Sequence, residues 1–246
     1  MDRLVYVAMS GAKETLRAQA ANNHNLANAS TVGFRADLSA FQSQAVQGGG
    51  LPTRVYATDH TVGWDAATGT LQETGRELDV AVNGPGWIAV QGADGREAYT
   101  RAGDLRVDVN GQLVNGSGLP VMGDSGPLAV PPHASISVAR DGSVAIVPLG
   151  QAATTVATVG RIKLVNPPAA DLQRGTDGLF RLRGGSDAPA DAGVQIASGA
   201  LESSNVNIAE SMTQMIELAR QFDLQVKALR TAEEDAASSA RLLQAG

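Results

Sequence analysis

The chain contains no cysteine among its 246 residues, which excludes disulfide bonds, thiolate metal sites and cysteine nucleophiles. Aromatic residues make up only 4% of the chain, whereas glycine occurs 28 times, as expected of a turn-rich protein with a modest core. Clusters of lysine and arginine are also missing, and the formal net charge is −6. Because proteins that bind nucleic acid rely on such clusters, the sequence predicts no nucleic-acid partner.

Long apolar runs are missing as well. The apolar run near the N-terminus, Leu4 to Met9, is too short for the core of a signal peptide. No stretch approaches the roughly 18 apolar residues of a membrane span. We therefore expect no direct membrane insertion, and a cytoplasmic chain unless a dedicated secretion system exports it without a cleaved signal.

An apolar pattern with alternating steps of four and three residues runs through the C-terminal region. Its members are Met212, Met215, Ala219, Phe222, Val226, Leu229, Ala236, Ala240 and Leu243, with Glu233 as the one interruption. Such a pattern presents one narrow seam to a partner helix, as in coiled coils. The capping-box pair Asn207 and Glu210 marks the start of the helix.

A single helix over residues 207–244 is expected to be roughly 55 Å long at ~1.5 Å per residue. That length exceeds the diameter of a compact domain built from the remaining residues. We therefore expect part of the seam to pack outside the core of its own chain. The alternative is a long amphipathic helix that lies along one side of a globular body.

Residues 3–28 are predicted to form a second helix. Its seam of small and medium residues comprises Val5, Ala8, Ala12, Leu16, Gln19, Asn23 and Leu26. The polar members indicate a seam that hydrogen-bonds a neighbouring helix. The segment from Asn28 to Gly33 then ends the helix, and Gly33 suits a left-handed turn.

Between the helices, hairpin signals predict a β domain. Asp94-Gly95, Asn110-Gly111 and Asp141-Gly142 each separate two apolar alternating runs, as in hairpins with tight two-residue turns. The predicted fold class is α+β: a discontinuous domain of terminal coiled-coil helices and a central all-β domain joined by an extended β-ribbon connector. The predicted boundaries are 1–35 for the N-terminal helix, 36–75 for the ribbon, 76–184 for the β domain, 185–199 for a linker and 200–246 for the C-terminal helix.

The sequence offers no convincing active site. Gly123 to Pro127 resembles the nucleophile loop of trypsin-like serine proteases, but it lacks one glycine and the bracing cysteines. The candidate base, His60, lies in the predicted ribbon, so a turn is the simpler interpretation. The three histidines, His24, His60 and His133, are too far apart for metal-ligand spacing. We therefore predict no catalytic residue, no cofactor, no metal and no enzymatic activity.

Several short motifs, in order along the chain, resemble those of the flagellar axial protein family of rod and hook subunits. They are Met1-Asp2-Arg3-Leu4, Ala8 to Ala12, Asn25 to Thr31 with Gly33-Phe34-Arg35-Ala36, Gly75 to Gly86, Tyr99-Thr100-Arg101-Ala102-Gly103, and Ser203-Ser204-Asn205-Val206 with Met212, Met215 and Ile216. The opening residues, the chain length and the ending from Lys227 to Glu233 resemble the rod members most. The sequence departs from the motifs of the family at His24, Trp87 and Ala219, where the family commonly has other residues.

The resemblance implies a structural subunit of the proximal part of the bacterial flagellar rod, which polymerises through its terminal helices. It further implies export by the flagellar apparatus without a cleaved signal peptide, a location in the periplasm-spanning basal body, and terminal helices that order on assembly. The implied partners are other rod proteins, the export apparatus and further copies of the chain. The assembly seam is then expected at Val5, Ala8, Ala12, Leu16, Asn25, Leu26, Asn28, Met212, Met215, Ala219, Phe222, Val226, Leu229 and Leu243.

Two alternatives remain open at this point. The first is a distal rod or hook protein of the same family. The second is an extracellular β-domain binding protein or hydrolase with helical ends that oligomerise.

Overall fold

A computed structural model describes residues 4–45, 55–152 and 154–244. For residues 4, 40–45, 55–62, 236, 239 and 242–244 it describes the backbone alone. The motif residues Met1-Asp2-Arg3 therefore lie outside the described residues, as do the side chains of His60 and of the predicted seam residue Leu243.

The chain divides into two compact units. The helical unit comprises Met1–Ala29, Ala36–Asp65 and Val206–Gly246, and the β unit comprises Ser30–Arg35 and Ala66–Asn205. The helical unit contains α1 (Leu4–Ala27), β1 (Asp37–Ala45), β2 (Val55–Trp64) and α2 (Ile208–Gln244). The strands of the β unit are β3 (Leu71–Glu73), β4 (Val80–Asn83), β5 (Trp87–Gln91), β6 (Glu97–Thr100), β7 (Arg106–Val107), β8 (Leu113–Val114), β9 (Met122–Gly123), β10 (Gly126–Pro127), β11 (His133–Val138), β12 (Ser143–Pro148), β13 (Ala157–Arg161), β14 (Leu164–Val165), β15 (Leu172–Arg174), β16 (Phe180–Leu182), β17 (Gln195–Ser198) and β18 (Ala200–Glu202).

The helical unit is built from an antiparallel pair of helices and a two-stranded hairpin. Helices α1 and α2 form the most extensive contact in the unit, and both strands of the hairpin also contact α1. Strand β1 pairs with β2 from Asp37 opposite Trp64 to Ala45 opposite Val55. Helix α2 begins where the capping residue predicts, because the Asn207 side-chain oxygen accepts hydrogen bonds from the amides of Ala209 and Glu210 at 3.1 and 3.3 Å. Both predicted helices are confirmed.

The β unit consists of small antiparallel sheets around one apolar core. The largest sheet has the order β14-β5-β6-β16-β15, and a second has the order β11-β12-β13. Two-stranded sheets pair β3 with β18, β4 with β17, β7 with β8 and β9 with β10. The fully buried core side chains include Val80, Ile88, Val90, Leu105, Leu113, Val121 and Val144.

The three predicted hairpins are confirmed. Strands β5 and β6, β7 and β8, and β11 and β12 pair across the turns that contain Gly95, Gly111 and Gly142. These glycines have φ values of 77°, 77° and 87°, a conformation that L side chains rarely adopt. The fold class is α+β, as the sequence predicts.

The units group the chain differently from the predicted boundaries. Residues 36–65, predicted as part of a connector, belong with the two helices, because their hairpin packs on α1. The predicted linker 185–199 instead belongs to the β unit. It contains β17, which pairs with β4 from Gln195 opposite Asn83, and its Ala188 amide donates to the Tyr99 hydroxyl at 2.6 Å. The hydrogen bonds explain the difference, since a Gly-, Ala- and Pro-rich segment carries little apolar pattern from which a strand can be predicted.

Candidate assembly interface

The face of α1 that packs on α2 is made of small and polar residues. Gly11, Thr15, Ala18 and Asn22 recur at steps of four and three, and all four are buried. Small side chains allow two helix backbones to approach closely. At Gly11 an added Cβ would meet the amide group of Gln225, so a larger residue here would displace that side chain.

The face of α2 that packs on α1 differs in part from the predicted seam. Its buried residues Ser211 and Leu218 each lie one position before a predicted seam residue. The buried residues of this face are Ser211, Leu218 and Ala232, and the half-buried residues between them are Met215, Phe222 and Leu229. Three residues of the predicted seam, which lie seven positions apart in the chain, therefore belong to this face. Met212 and Ala219 lie on an adjoining exposed face, and Val226 is half-buried beside it. The buried face continues at Ala232, so the charged residue Glu233, which interrupts the predicted apolar pattern, does not interrupt the packed face.

Polar groups hold the two helices in register. The Asn22 side chain donates to the carbonyl oxygen of Ser211 at 2.7 Å, and the Gln225 amide donates to the Thr15 hydroxyl at 3.4 Å. Asn22 lies near the start of α2 and Thr15 near its middle, which fixes the antiparallel orientation. Buried polar pairs of this kind specify register more than they stabilise.

The helical unit leaves apolar side chains exposed on both helices. On α2, Ile208, Met212 and Ile216 are 50, 53 and 56% exposed at steps of four residues, which places them on one face. On α1, Tyr6, Met9 and Leu16 are 55, 55 and 50% exposed. Because contiguous exposed apolar faces mark interaction sites, these two stripes are the candidate assembly interface.

The remaining predicted seam residues of α1 have different surroundings. Ala12 is buried, whereas Val5, Ala8, Asn25, Leu26 and Asn28 are half-buried and Leu16 is exposed. The Asn25 amide forms both hydrogen bonds of a backbone-like pair with Asp37, at 2.8 and 2.9 Å. The Asn28 side chain donates to the carbonyl oxygen of His24 at 2.9 Å and so caps the end of α1. Both asparagines therefore bind the backbone of their own chain.

In the β unit, two arginines of the resemblance motifs, Arg35 and Arg101, meet Glu202 in one buried cluster. Glu202 forms an ion pair with Arg35 at 2.6 Å and accepts a hydrogen bond from Arg101 at 2.9 Å, and each of the three side chains is at most 4% exposed. Arg101 also donates to the carbonyl oxygens of Val82 at 3.3 Å and Gly84 at 2.7 Å. We call Arg35, Arg101 and Glu202 the signature cluster.

Backbone amides around the signature cluster also form hydrogen bonds to Glu202. The Gly33 amide donates to the Glu202 carbonyl oxygen at 2.8 Å, and the Gly69 amide donates to the Glu202 carboxylate at 2.9 Å. Gly33 has a φ of 66°, and an added Cβ would collide with the Arg101 carbonyl group. Segments that are distant in sequence thus converge on one carboxylate. Burial lowers the pKa of Arg101, and the neighbouring charge of Arg35 lowers it too, while Glu202 opposes both effects.

Arginine and aromatic side chains stack beside the signature cluster. The Trp87 and Phe180 rings lie 4.5 Å apart between centroids. Arg101 lies 5.5 Å from the Trp87 ring and Arg174 lies 4.4 Å from the Phe34 ring, both within the range of cation–π attraction. The stack gives the motif residue Phe34 a structural role within the β unit.

Sequence reasoning identified the motifs that contain Arg35 and Arg101, but it did not identify Glu202, which directly precedes Ser203, or the cluster that the three residues form. Arg35, Arg101 and Glu202 each stand as a lone charge between small or apolar neighbours. Such an isolated charge within or directly beside a short motif is the signal that would have indicated the cluster, because charged side chains are rarely buried unless they are paired.

The protease-like segment Gly123 to Pro127 is a tight hairpin turn. Strands β9 and β10 pair Gly123 with Gly126 and Met122 with Pro127, which leaves Asp124 and Ser125 exposed at the tip. An exposed turn does not orient a serine toward a base. In the part of the chain that the structure describes, no group of three potential ligands could hold a metal ion. None of the described helices is long and apolar enough to cross a membrane.

Two family profiles match the regions that carry these features. The profile described as "Flagellar hook protein FlgE/F/G D1 domain" matches residues 81–146, which include most of the β-unit core. The profile described as "Flagellar basal body rod FlgEFG protein C-terminal" matches residues 197–242, which include Glu202 and most of α2.

Whole-chain relatives agree with these profiles. The flagellar basal-body rod protein FlgF of Escherichia coli strain K12 is 45% identical over 249 residues, covering 99% of each chain. That of Salmonella typhimurium is 44% identical with the same coverage. The flagellar basal-body rod protein FlgG of Bacillus subtilis is 32% identical over 257 residues, covering 95% of this chain and 96% of that protein. The resemblance predicted from the motifs is confirmed, and the chain belongs to the FlgF family of flagellar basal-body rod proteins.

Proposed function

We propose that this chain is a structural subunit of the flagellar basal-body rod that polymerises through its terminal helices. The observation that carries the proposal is the pair of exposed apolar stripes on α1 and α2, in a chain that matches rod proteins along its whole length. A distal rod or hook protein is less favoured, because the relatives with the highest identity quoted above are named FlgF.

The stripes suggest how neighbouring subunits associate. Fully burying one large apolar side chain stabilises a complex by about 1.5–3 kcal/mol, so a half-exposed one still contributes roughly 1 kcal/mol when a neighbour covers it. Ile208, Met212 and Ile216 on α2 are each at least half exposed, as are Tyr6, Met9 and Leu16 on α1. Contacts with several neighbours then supply enough free energy for assembly, while a single pairing in solution stays weak.

The proposed packing is that of coiled coils, with the assembly seam shared between two faces. The residues that pack along α1 are Met215, Phe222 and Leu229. The residues proposed to contact neighbouring subunits are Met212, Ala219 and Val226. The hairpin of β1 and β2 acts as the ribbon connector beside α1, and the β unit forms contacts of its own with neighbouring subunits. The helical ends and the β unit are accordingly proposed as separate functional domains.

The proposed partners are other rod proteins, further copies of the chain and the export apparatus, and the proposed location is the rod of the basal body. A chain without cysteine suits export in an unfolded state, because no disulfide bond has to form or break on the way. Basal bodies purified from cells are expected to contain the chain in a fraction that resists salt extraction. Its recovery only in the soluble fraction of flagellated cells would contradict the proposal.

We further propose that the chain catalyses no reaction. Ser125 lies at the exposed tip of the turn between β9 and β10, so Ser125→Ala and His60→Ala, singly or together, are expected to leave folding and motility unchanged. Motility on soft agar and thermal melting measure both properties. Covalent labelling of Ser125 by a serine-directed active-site reagent, abolished by His60→Ala, would support the hydrolase alternative instead.

A further inference from the structure

A cleft of about 580 Å³ in the β unit is lined by four arginines, Arg96, Arg174, Arg181 and Arg183. Two carboxylates, Glu97 and Asp187, also line it. A local excess of positive charge is notable in a chain whose net charge is −6. We call this feature the arginine cleft.

Two of the arginines are held in place by their neighbours. Arg181 forms a bidentate pair with Asp177 at 2.7 and 3.1 Å, and the Arg174 guanidinium donates to the carbonyl oxygen of Arg35 at 2.9 Å. The hydrogen bonds that Arg181 donates to Asp177 also raise the pKa of Arg181. Fixed guanidinium groups lose little conformational freedom when they bind, which favours recognition.

The positive charges of the other two arginines, Arg96 and Arg183, are available to bind an occupant of the cleft. Among the described residues, the guanidinium groups of Arg96 and Arg183 form no hydrogen bond or ion pair, and both residues are exposed. Of the two carboxylates in the lining, Glu97 is bound through both oxygens to Lys163 at 2.9 and 2.7 Å. Asp187 is exposed and offsets one of the four arginine charges. The arginine cleft therefore presents a net positive charge to an occupant.

We propose that the arginine cleft binds an extended acidic segment of a neighbouring protein in the assembled rod. Carboxylates match the planar fork of arginine, and arginine is enriched in the energetic centres of protein interfaces. A small free anion is a poorer occupant, because water and salt screen charges that are as exposed as Arg96 and Arg183. A protein segment covers the cleft and excludes that water. The glycines at its edge, including Gly95 and Gly185, leave open space for a backbone to approach.

The inference rests on the proposed function, since it places the partner in the rod. A photo-crosslinking residue replaces Ser186, an exposed residue of the cleft lining, in the full-length chain, and basal bodies are irradiated and isolated. The expected result is an adduct to a neighbouring subunit through a peptide that contains at least two carboxylates. In the double variant Arg96→Glu with Arg183→Glu, the adduct yield is expected to fall about tenfold because attraction becomes repulsion.

The matched control is the double variant Arg106→Glu with Arg140→Glu, which makes the same charge change at two exposed arginines of the β unit outside the cleft lining. It is expected to keep the adduct, and thermal melting checks that both double variants are folded. An adduct that survives in the cleft variant, an adduct to a peptide without carboxylates, or no adduct in basal bodies that contain the chain would each overturn the inference. Absence of the chain from those basal bodies would instead overturn the proposed function.

Discussion

Replacing Glu202 with glutamine is expected to destabilise the β unit by about 3–5 kcal/mol, because it leaves two buried guanidinium groups without their shared anion. Glu202 is 1% exposed and contacts both Arg35 and Arg101. The amide of glutamine still accepts from Gly69, so the loss comes from charge and not from shape. Thermal melting of the full chain should show a fall of roughly 10 °C in the transition of the β unit.

Two control variants distinguish the loss of the Glu202 charge from a nonspecific effect of a substitution on stability. Glu77→Gln makes the same chemical change at an exposed residue and is expected to leave the melting temperature nearly unchanged. The double variant Arg35→Gln with Glu202→Gln restores the net charge of the signature cluster, and we expect it to be more stable than Glu202→Gln alone. A melting temperature for Glu202→Gln equal to that of the native chain would show that the cluster does not stabilise the unit.

Replacing Phe222 with aspartate is expected to abolish incorporation into the rod. Phe222 is half-buried between Met215 and Leu229 along the α1 contact, and it belongs to the proposed assembly seam. Burying a lone carboxylate in a contact between helices costs several kcal/mol, which would separate α2 from α1 and disrupt the helical unit that carries both exposed stripes. The variant should be soluble, melt normally in its β unit and leave cells non-motile.

Gln221→Asp is the matched control for Phe222→Asp. It introduces the same side chain at the preceding, exposed residue of α2 and is expected to preserve motility. Normal swimming of cells that carry only Phe222→Asp would show that this face of α2 is not required for assembly.

Much of the fold could be predicted from the sequence, because local patterns set its elements. The steps of three and four residues predict both helices, Asn207 marks the start of α2, and three Gly-containing turns mark the hairpins. Each of these signals acts over a few residues, so no knowledge of distant partners is needed.

The register of the helix pair could not be predicted in the same way. Ranking residues by apolarity selects Met212, Ala219 and Val226, but the packed face uses Ser211, Leu218 and Ala232. The difference arises because close packing and hydrogen bonds to Asn22 and Thr15 favour small and polar groups. Of the apolar residues that the pattern selects, Met212 and Ala219 are then left exposed and Val226 half-buried.

The signature cluster escaped prediction for a related reason. A buried charge is stable only with its counter-charge, and Arg35 and Arg101 find theirs at Glu202, far along the sequence. A motif shows that each position matters without showing which residues meet. The strand β17 in the predicted linker was missed similarly, since its stability depends on pairing with β4.

The most direct test of the account is an image of the assembled basal body in which this chain is marked. Val109 is fully exposed and the native chain has no cysteine, so Val109→Cys gives one labelling site in the β unit. Purified basal bodies carrying the labelled chain are imaged by electron cryo-microscopy beside unlabelled ones. The account predicts label at one level of the rod, with α1 and α2 packed against helices of neighbouring subunits. Label outside the rod, or terminal helices without helical neighbours, would contradict it.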